Sequence, residues 1–332
     1  MPLESKLFPL ATDIPKRKPR RLRVLTWHVH GNYLYYLSQA PHDFYLVTKP
    51  GAPPGYAGRT GSLPWGDNVH EVDSDAVRGG QFDCILFQSR PHFENDRELL
   101  LSDQQRRLPA IYLEHDPPQQ HPTDTLHWVQ DPNMLLVHVT PFNALMWNSG
   151  RTQVTVIEHG AVVPANARYT GELERGVVVV NNLRRRARRL GADVFAAARE
   201  RVPLDLVGMD AEAVGGVGEI DNLELASFIG RYRFFFNPIR WTSLGLAVIE
   251  AMMIGMPIVG LATTELSSVV DRGVNGYVDT DVERLVETMH LLIREPVLAA
   301  RWGQAAQATA RERFGIERFV TDWNHAFALV TS

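Results

Sequence analysis

Short apolar runs alternate along the chain with segments whose apolar positions recur at helical spacing. In the first half the runs fall at 24–27, 44–47, 82–87, 110–113, 134–139 and 154–157. Near-continuous hydrophobic runs without polar alternation suit strands buried on both faces. Helical stretches are predicted at 33–39, 96–107 and 142–149. Strands alternating with helices predict a parallel, doubly wound sheet. Residues 49–68 are too rich in Gly and Pro for either element and read as a long loop, of a length often tied to function.

The pattern restarts after a polar stretch at 165–175, read as a linker. Strands follow at 177–180, 204–207, 234–236 and 258–261, with helices near 246–254 and 282–293. In the last of these Val282, Leu285, Val286, Met289 and Ile293 share one face, and Glu295–Pro296 stops it. The expected class is therefore α/β, with two Rossmann-like doubly wound domains at 21–164 and 176–312. A flexible basic tail precedes them at 1–20, and a terminal helix follows at 313–332. Ile316, Phe319, Val320, Trp323, Phe327 and Val330 form one apolar stripe on that helix. So much aromatic surface needs a groove, either on its own domain or back on the first.

Composition narrows the class. The 332 residues are 45% hydrophobic and 22% charged, with formal net charge -4, as in an ordinary globular protein long enough for two cores. The single cysteine, Cys84, lies within the run 82–87; it excludes an intrachain disulfide and a cysteine metal cluster, and reads as a buried thiol in a reducing cytoplasm. The N-terminus lacks a basic-then-apolar secretory pattern. The apolar stretch 244–261 holds Glu250, Gly255 and Pro257, so it reads as a helix ending at Gly255 followed by a strand, not as a membrane span. Lys16, Arg17, Lys18, Arg20, Arg21 and Arg23 precede the first strand; such a run gains about 1 kcal/mol per residue near anionic lipid headgroups. The expected location is the cytoplasm, with peripheral contact at the inner face of the membrane. The mildly acidic chain has no aromatic interleaving of its basic runs, which argues against nucleic acid as a partner.

The densest chemical signal is Asn237-Pro238-Ile239-Arg240-Trp241-Thr242-Ser243-Leu244-Gly245-Leu246, continuing through Glu250. A strand ends, a loop turns, and a helix is expected to begin at Thr242 or Ser243, both competent N-caps. Unpaired N–H groups at a helix start attract anions, and Gly245 admits a phosphate closely. Glu250 can accept two ribose hydroxyls, or else pair with an arginine inside a buried helix.

The run Ser243-Leu244-Gly245-Leu246 … Glu250-Ala251-Met252 … Gly255-Met256-Pro257-Ile258-Val259 resembles the donor-site signature of retaining, nucleotide-sugar-dependent glycosyltransferases of the family-4 type, which have the GT-B fold. Residues 269–278 resemble that family's VVxDGxxGxLV loop and strand. Leu206-Val207-Gly208 and Val217-Gly218-Glu219-Ile220 resemble its two glycine-ended strands, and 311–314 its RERF before the last helix. The similarity runs from about Val177 to Val330. It implies two domains facing a central cleft, a UDP- or GDP-sugar as donor substrate with no separate cofactor, and a glycan, lipid-linked or small-molecule acceptor held mainly by the first domain. It also implies that Glu250 holds the ribose, while the backbone of Ser243, Leu244, Gly245 and Leu246 holds the diphosphate.

Two positions depart from the pattern. Thr242 stands where the first glutamate of the family's E-x7-E pair is expected to position the transferred sugar. Asn182 stands where an arginine usually neutralises the pyrophosphate, which leaves that role to the following cluster Arg184–Arg189, with Arg185 or Arg189 the leading candidates. In the first domain His30, Gly31 and Asn32 follow the first strand, on the loop that in the family lies across from the donor phosphate. His115 or Asp116 follows the strand 110–113, where relatives face the reacting sugar. Glu158, His159 and Gly160 resemble the family's turn before the linker. A metal site is the competing reading of the chain's twelve histidines, but no HExxH-type spacing is present. The expectation is a metal-independent glycosyltransferase. The rival readings are a catalytically degenerate GT-B scaffold, motivated by Thr242 and Asn182, and a nucleotide-sugar epimerase or hydrolase.

Overall fold

The computed structural model describes residues 20–332. It divides into two compact units, one running through Gly160 and resuming at Ile316–Ser332, the other spanning Ala161–Gly315. Residues 1–19, which hold most of the expected basic tail, lie outside the described residues. The two arginines at its end are tied down, Arg20 to Asp83 and Arg21 to both oxygens of Asp43 at 2.7 and 2.5 Å.

Among the described residues, the first unit has a seven-stranded sheet of β1 (Arg23–Thr26), β2 (Asp43–Thr48), β3 (Val69–Asp73), β4 (Cys84–Phe87), β5 (Ala110–Glu114), β6 (Leu135–His138) and β7 (Gln153–Val156). Every pairing is parallel, in the order β3-β2-β1-β4-β5-β6-β7. β4, β5 and β6 are buried throughout, as their continuous apolar runs require. β3 escapes the sequence pattern because it is an edge strand with Val69 as its one buried position, while Glu71 and Asp73 are exposed. The helix expected at 96–107 is broken into a π-turn at His92–Asp96 and short turns at Arg97–Leu99 and Gln105–Arg107. Side chains compete for its backbone there. Gln105 Oε1 accepts from Ser102 N–H at 2.9 Å, while Gln105 Nε2 donates to Val77 O and Gly80 O at 2.7 and 2.8 Å.

The last helix, Ile316–Thr331, packs into this unit. Phe319, Trp323 and Phe327 are fully buried. Trp323 Nε1 donates to Tyr33 Oη at 3.1 Å, and a Cβ at Gly160 would collide with the Phe319 ring.

The second unit has a five-stranded parallel sheet of β8 (Leu173–Val179), β9 (Leu204–Val207), β10 (Tyr232–Asn237), β11 (Ile258–Leu261) and β12 (Gly276–Asp279), in the order β12-β11-β10-β8-β9. The expected linker 165–175 is instead built into this unit. Tyr169 N–H donates to Ile254 O at 3.0 Å, Tyr169 Oη to Arg233 O at 2.8 Å, and β8 already begins at Leu173. Val217–Gly218 is no sheet strand but a single bridge to Val207. Pro296 stops the helix Val282–Arg294 and also starts the next, Pro296–Arg313, because a proline at the first helical position loses no hydrogen bond. The apolar stretch 244–261 resolves into the helix Leu246–Met253, Gly255 at φ +91°, and β11.

Candidate active site

In an open parallel sheet, ligands collect beyond the strand carboxyl ends where the strand order reverses. In the second unit that point lies between β8 and β10, and the sequence-predicted donor residues sit on the two loops leaving those strands. The loops are locked together. Arg189 O accepts from the N–H groups of Arg240 and Trp241 at 3.0 and 3.2 Å, and Arg189 Nε donates to Trp241 O at 3.2 Å. Arg240 grips Asp193 with both guanidinium nitrogens at 2.5 and 2.9 Å, and Arg188 reaches the same carboxylate at 2.6 Å. The Arg240 hydrogen bond holds the Asp193 carboxyl below its usual range. Gly191 has φ +80°, and a side chain there would strike the Pro238 carbonyl.

The cap differs from expectation. The helix carrying Glu250 starts at Leu246 with Gly245 in the N-cap place, extended and without a side-chain cap. Thr242 and Ser243 lie before it in a bend, partly buried, and the buried Leu244 separates them from the helix start. A Cβ at Gly245 would meet nothing within 4 Å, so the protein's own packing leaves the space over this helix start open. Glu250 is buried in the second turn. Asn182 has left-handed backbone at φ 54° and donates its N–H to Met209 O at 2.7 Å. That conformation suits asparagine far better than arginine, a physical reason for its presence. Arg185 is exposed on the short helix Leu183–Arg186, and Arg189 is half buried as part of the loop lock. Of the arginine cluster, Arg188 and Arg189 are thus committed to structure. Glu265 is buried and held by Arg313 Nη2 at 2.6 Å.

In the first unit the strand order reverses between β1 and β4. Gly31 and Asn32 open the helix Gly31–Leu37, and His30, its exposed N-cap residue, has its ring 4.1 Å from that of His115. His115 is buried. Gln88 Nε2 donates to Thr26 Oγ1 and Trp27 O, which aims Gln88 Oε1 at His115 Nε2 at 3.2 Å. Burial, with His30 and His159 nearby, holds the His115 imidazole neutral. Asp116 N–H donates to Glu114 Oε1 at 3.0 Å, and Trp147 Nε1 donates to Asp116 O at 2.8 Å. His30, His115 and Asp116 open on one cavity of about 760 Å³.

The sequence pattern passed over the pair beneath that cavity. Glu114 Oε2 lies 3.2 Å from His127 Nε2, both groups buried. Val129 N–H donates to His127 Nδ1 at 3.1 Å, so the ring proton sits on Nε2 and points at Glu114. Burial pushes the Glu114 carboxyl up to about 8 and the His127 imidazole down to about 3, which makes this a neutral hydrogen-bonded pair and not an ion pair. A glutamate closing an otherwise apolar strand was the available signal. Among the described residues, no three His, Cys, Asp or Glu side chains are grouped as metal ligands, and no helix is long and apolar enough to cross a membrane.

Residues 175–295 match the family model described as Glycosyl transferases group 1. That span covers both locked loops and Glu250. The matched span lies within the second unit. Over 83 residues the chain is 30% identical to an uncharacterized 41.2 kDa protein in the cps region of Klebsiella pneumoniae, covering 24% of this chain and 23% of that protein. The chain thus spans about a quarter of the length of the curated relative it matches. Sucrose-phosphate synthase from Thermosynechococcus elongatus has a similar structure, with TM-score 0.69 at 16% identity over 93% of this chain and 99% of that one. Anabaena HepE, solved in complex with UDP and glucose, gives TM-score 0.67 at 13% identity over 91% and 98%. The fold is GT-B, with two parallel-sheet units.

Proposed function

We propose that the protein transfers a sugar from a nucleotide-sugar donor to an acceptor with retention of configuration and without a metal ion. The observation that carries this reading is the pair of locked loops at the β8/β10 reversal, which set an open helix start and the buried Glu250 side by side. Open N–H groups at Gly245 and Leu246 suit a diphosphate, Arg185 adds positive charge, and Glu250 suits the two ribose hydroxyls. HepE, of the same fold, was solved with UDP, which favours a uridine donor over a guanosine one as the first to try. Stabilising the departing diphosphate is electrostatic catalysis, so these groups act on rate as well as affinity. No side chain is placed as a covalent nucleophile in this account; the acceptor attacks the face that the diphosphate leaves, with His115 or Asp116 near the reacting sugar.

Glu250→Gln keeps the side-chain shape but weakens charge-assisted bonds to ribose. Calorimetric titration should show nucleoside diphosphate binding weakened by about 1–3 kcal/mol with folding preserved. Unchanged affinity would assign Glu250 to internal structure and remove the central support of the reading.

A further inference from the structure

A groove of about 640 Å³ lies on the second unit, bounded by the short helix Leu183–Arg186, the turn Ala187–Leu190 and the helix Ala192–Arg199. Gly245, Leu246 and Glu250 do not line it, and it meets the loop lock only at Arg188 and Asp193. Ala187 and Ala196 are exposed in it, Ala192 and Val214 are half-buried, and Leu183 and Phe195 are buried. A mainly apolar concavity of this size is of the kind that takes a ligand or an anchoring side chain.

Its rim is cationic. Residues 183–201 hold seven arginines and two carboxylates, in a chain whose formal net charge is -4. Arg184 and Arg186 are exposed and have no carboxylate partner among the described residues. Arg199 donates from both Nη atoms to Val214 O and Gly215 O at 2.9 and 2.6 Å, which fixes its guanidinium without neutralising it. Arg188 and Arg240 share the single carboxylate of Asp193. The exposed Glu200 and Glu212 oppose these arginines, and with Asp193 they make three carboxylates against five guanidinium groups. Arg185, which the proposed donor site uses, adds to the excess. A guanidinium already held in place loses little conformational freedom when it meets a carboxylate.

We propose that this groove docks a partner protein through an acidic segment bearing large apolar side chains, as one amphipathic helix presents them. The apolar side chains fill the concavity, and flanking Asp or Glu residues meet Arg184 and Arg199. An anionic membrane fits the groove less well. A surface that enters a bilayer pushes large apolar side chains outward, and none of the groove's lining residues is an exposed large hydrophobic. A second copy of this chain would meet the groove with a different surface, a head-to-tail contact that closes only if its rotation does. The docking chemistry is independent of the sugar-transfer reading.

Fluorescence anisotropy on the full chain tests this with labelled amphipathic peptides about four helical turns long. They carry Leu, Phe or Trp at helical spacing and Glu elsewhere, beside versions with Lys for Glu and versions with Ser for the apolar residues. At least one acidic apolar peptide should bind, with its Lys and Ser versions about tenfold weaker or worse. Ala196→Glu adds bulk and like charge at an exposed helical position and should weaken that binding at least about tenfold, as should Arg184→Glu, both with the wild-type melting temperature. Lys or Ser versions that bind as well, no peptide binding, or binding unmoved by both variants would each overturn the proposal. Two further outcomes would also overturn it by naming another occupant. Binding to phosphatidylcholine–phosphatidylserine vesicles that Arg184→Glu removes and Ala196→Glu spares would assign the rim to a membrane. A wild-type dimer in light scattering that Ala196→Glu makes monomeric would assign the groove to a second copy.

Discussion

On the proposed reading, Thr242 stands where the family resemblance expects a sugar-positioning glutamate. A threonine offers one hydroxyl where a carboxylate would accept two sugar hydroxyls, so it penalises a wrong epimer less. The open helix start behind it supplies neutral donors to phosphate regardless. The protein should therefore bind nucleoside diphosphate about as well as the intact nucleotide sugar, within roughly tenfold or 1.4 kcal/mol. It should tolerate more than one epimer, and Thr242→Glu should narrow that tolerance. Competition binding with epimeric donors checks this, and strict selection by the wild type that the substitution abolishes would speak for a pocket rebuilt around threonine. Buried histidines make a separate statement about pH. Burial depresses His92 to about 4 and His127 and His138 to about 3, so the unfolded chain binds more protons than the folded one once pH falls below their ordinary value near 6.5. Their contribution is complete above that value and lost as pH falls toward 3. Glu114, raised to about 8, works the other way: its contribution is present below its ordinary value near 4.5 and lost as pH rises through 8. His42 and His115, also lowered by burial, act in the same direction, and five groups outweigh one, so the melting temperature should fall steadily from pH 6.5 to pH 4. A flat profile over that range in differential scanning calorimetry would contradict the burial of these rings.

The elements show what a sequence pattern can and cannot reveal. The buried strands β4, β5, β6, β10 and β11 are legible because strands covered on both faces are almost wholly apolar. The edge strand β3 and the helices Ala192–Arg199 and Asn222–Ile229 escape, since one exposed face dilutes their periodicity. The run 237–250 is readable as strand, loop and helix, but the helix is capped at Gly245, two or three residues beyond the expected Ser243 or Thr242, with the buried Leu244 between them. The lock between the loops after β8 and β10 leaves no local trace, because Arg189, Asp193 and Arg240 meet only in the fold. Gly191 belongs to that lock. Gly191→Ala demands a left-handed alanine and a clash with the Pro238 carbonyl, at a cost of roughly 1–3 kcal/mol. Urea unfolding should register that loss, together with weaker nucleotide binding, because the displaced loop carries the helix start. Weakened folding with intact nucleotide affinity would separate the lock from the site.

At the scale of the whole molecule the chain returns to its first unit at the end. The aromatic stripe announced that the last helix needed a groove, and the groove is lined by Tyr33, His42 and Gly160, which only the fold brings together. The neutral Glu114–His127 pair was invisible for a similar reason: burial, not identity, decides its charge. The central claim is nucleotide-sugar transfer, and the most direct measurement is release of nucleoside diphosphate by the full chain incubated with UDP- and GDP-sugars. The account predicts slow release to water, faster release when an acceptor is added, and the same rates with a chelator present. A donor that binds tightly yet releases no nucleoside diphosphate across a broad acceptor panel would contradict it and mark the protein as a binding subunit.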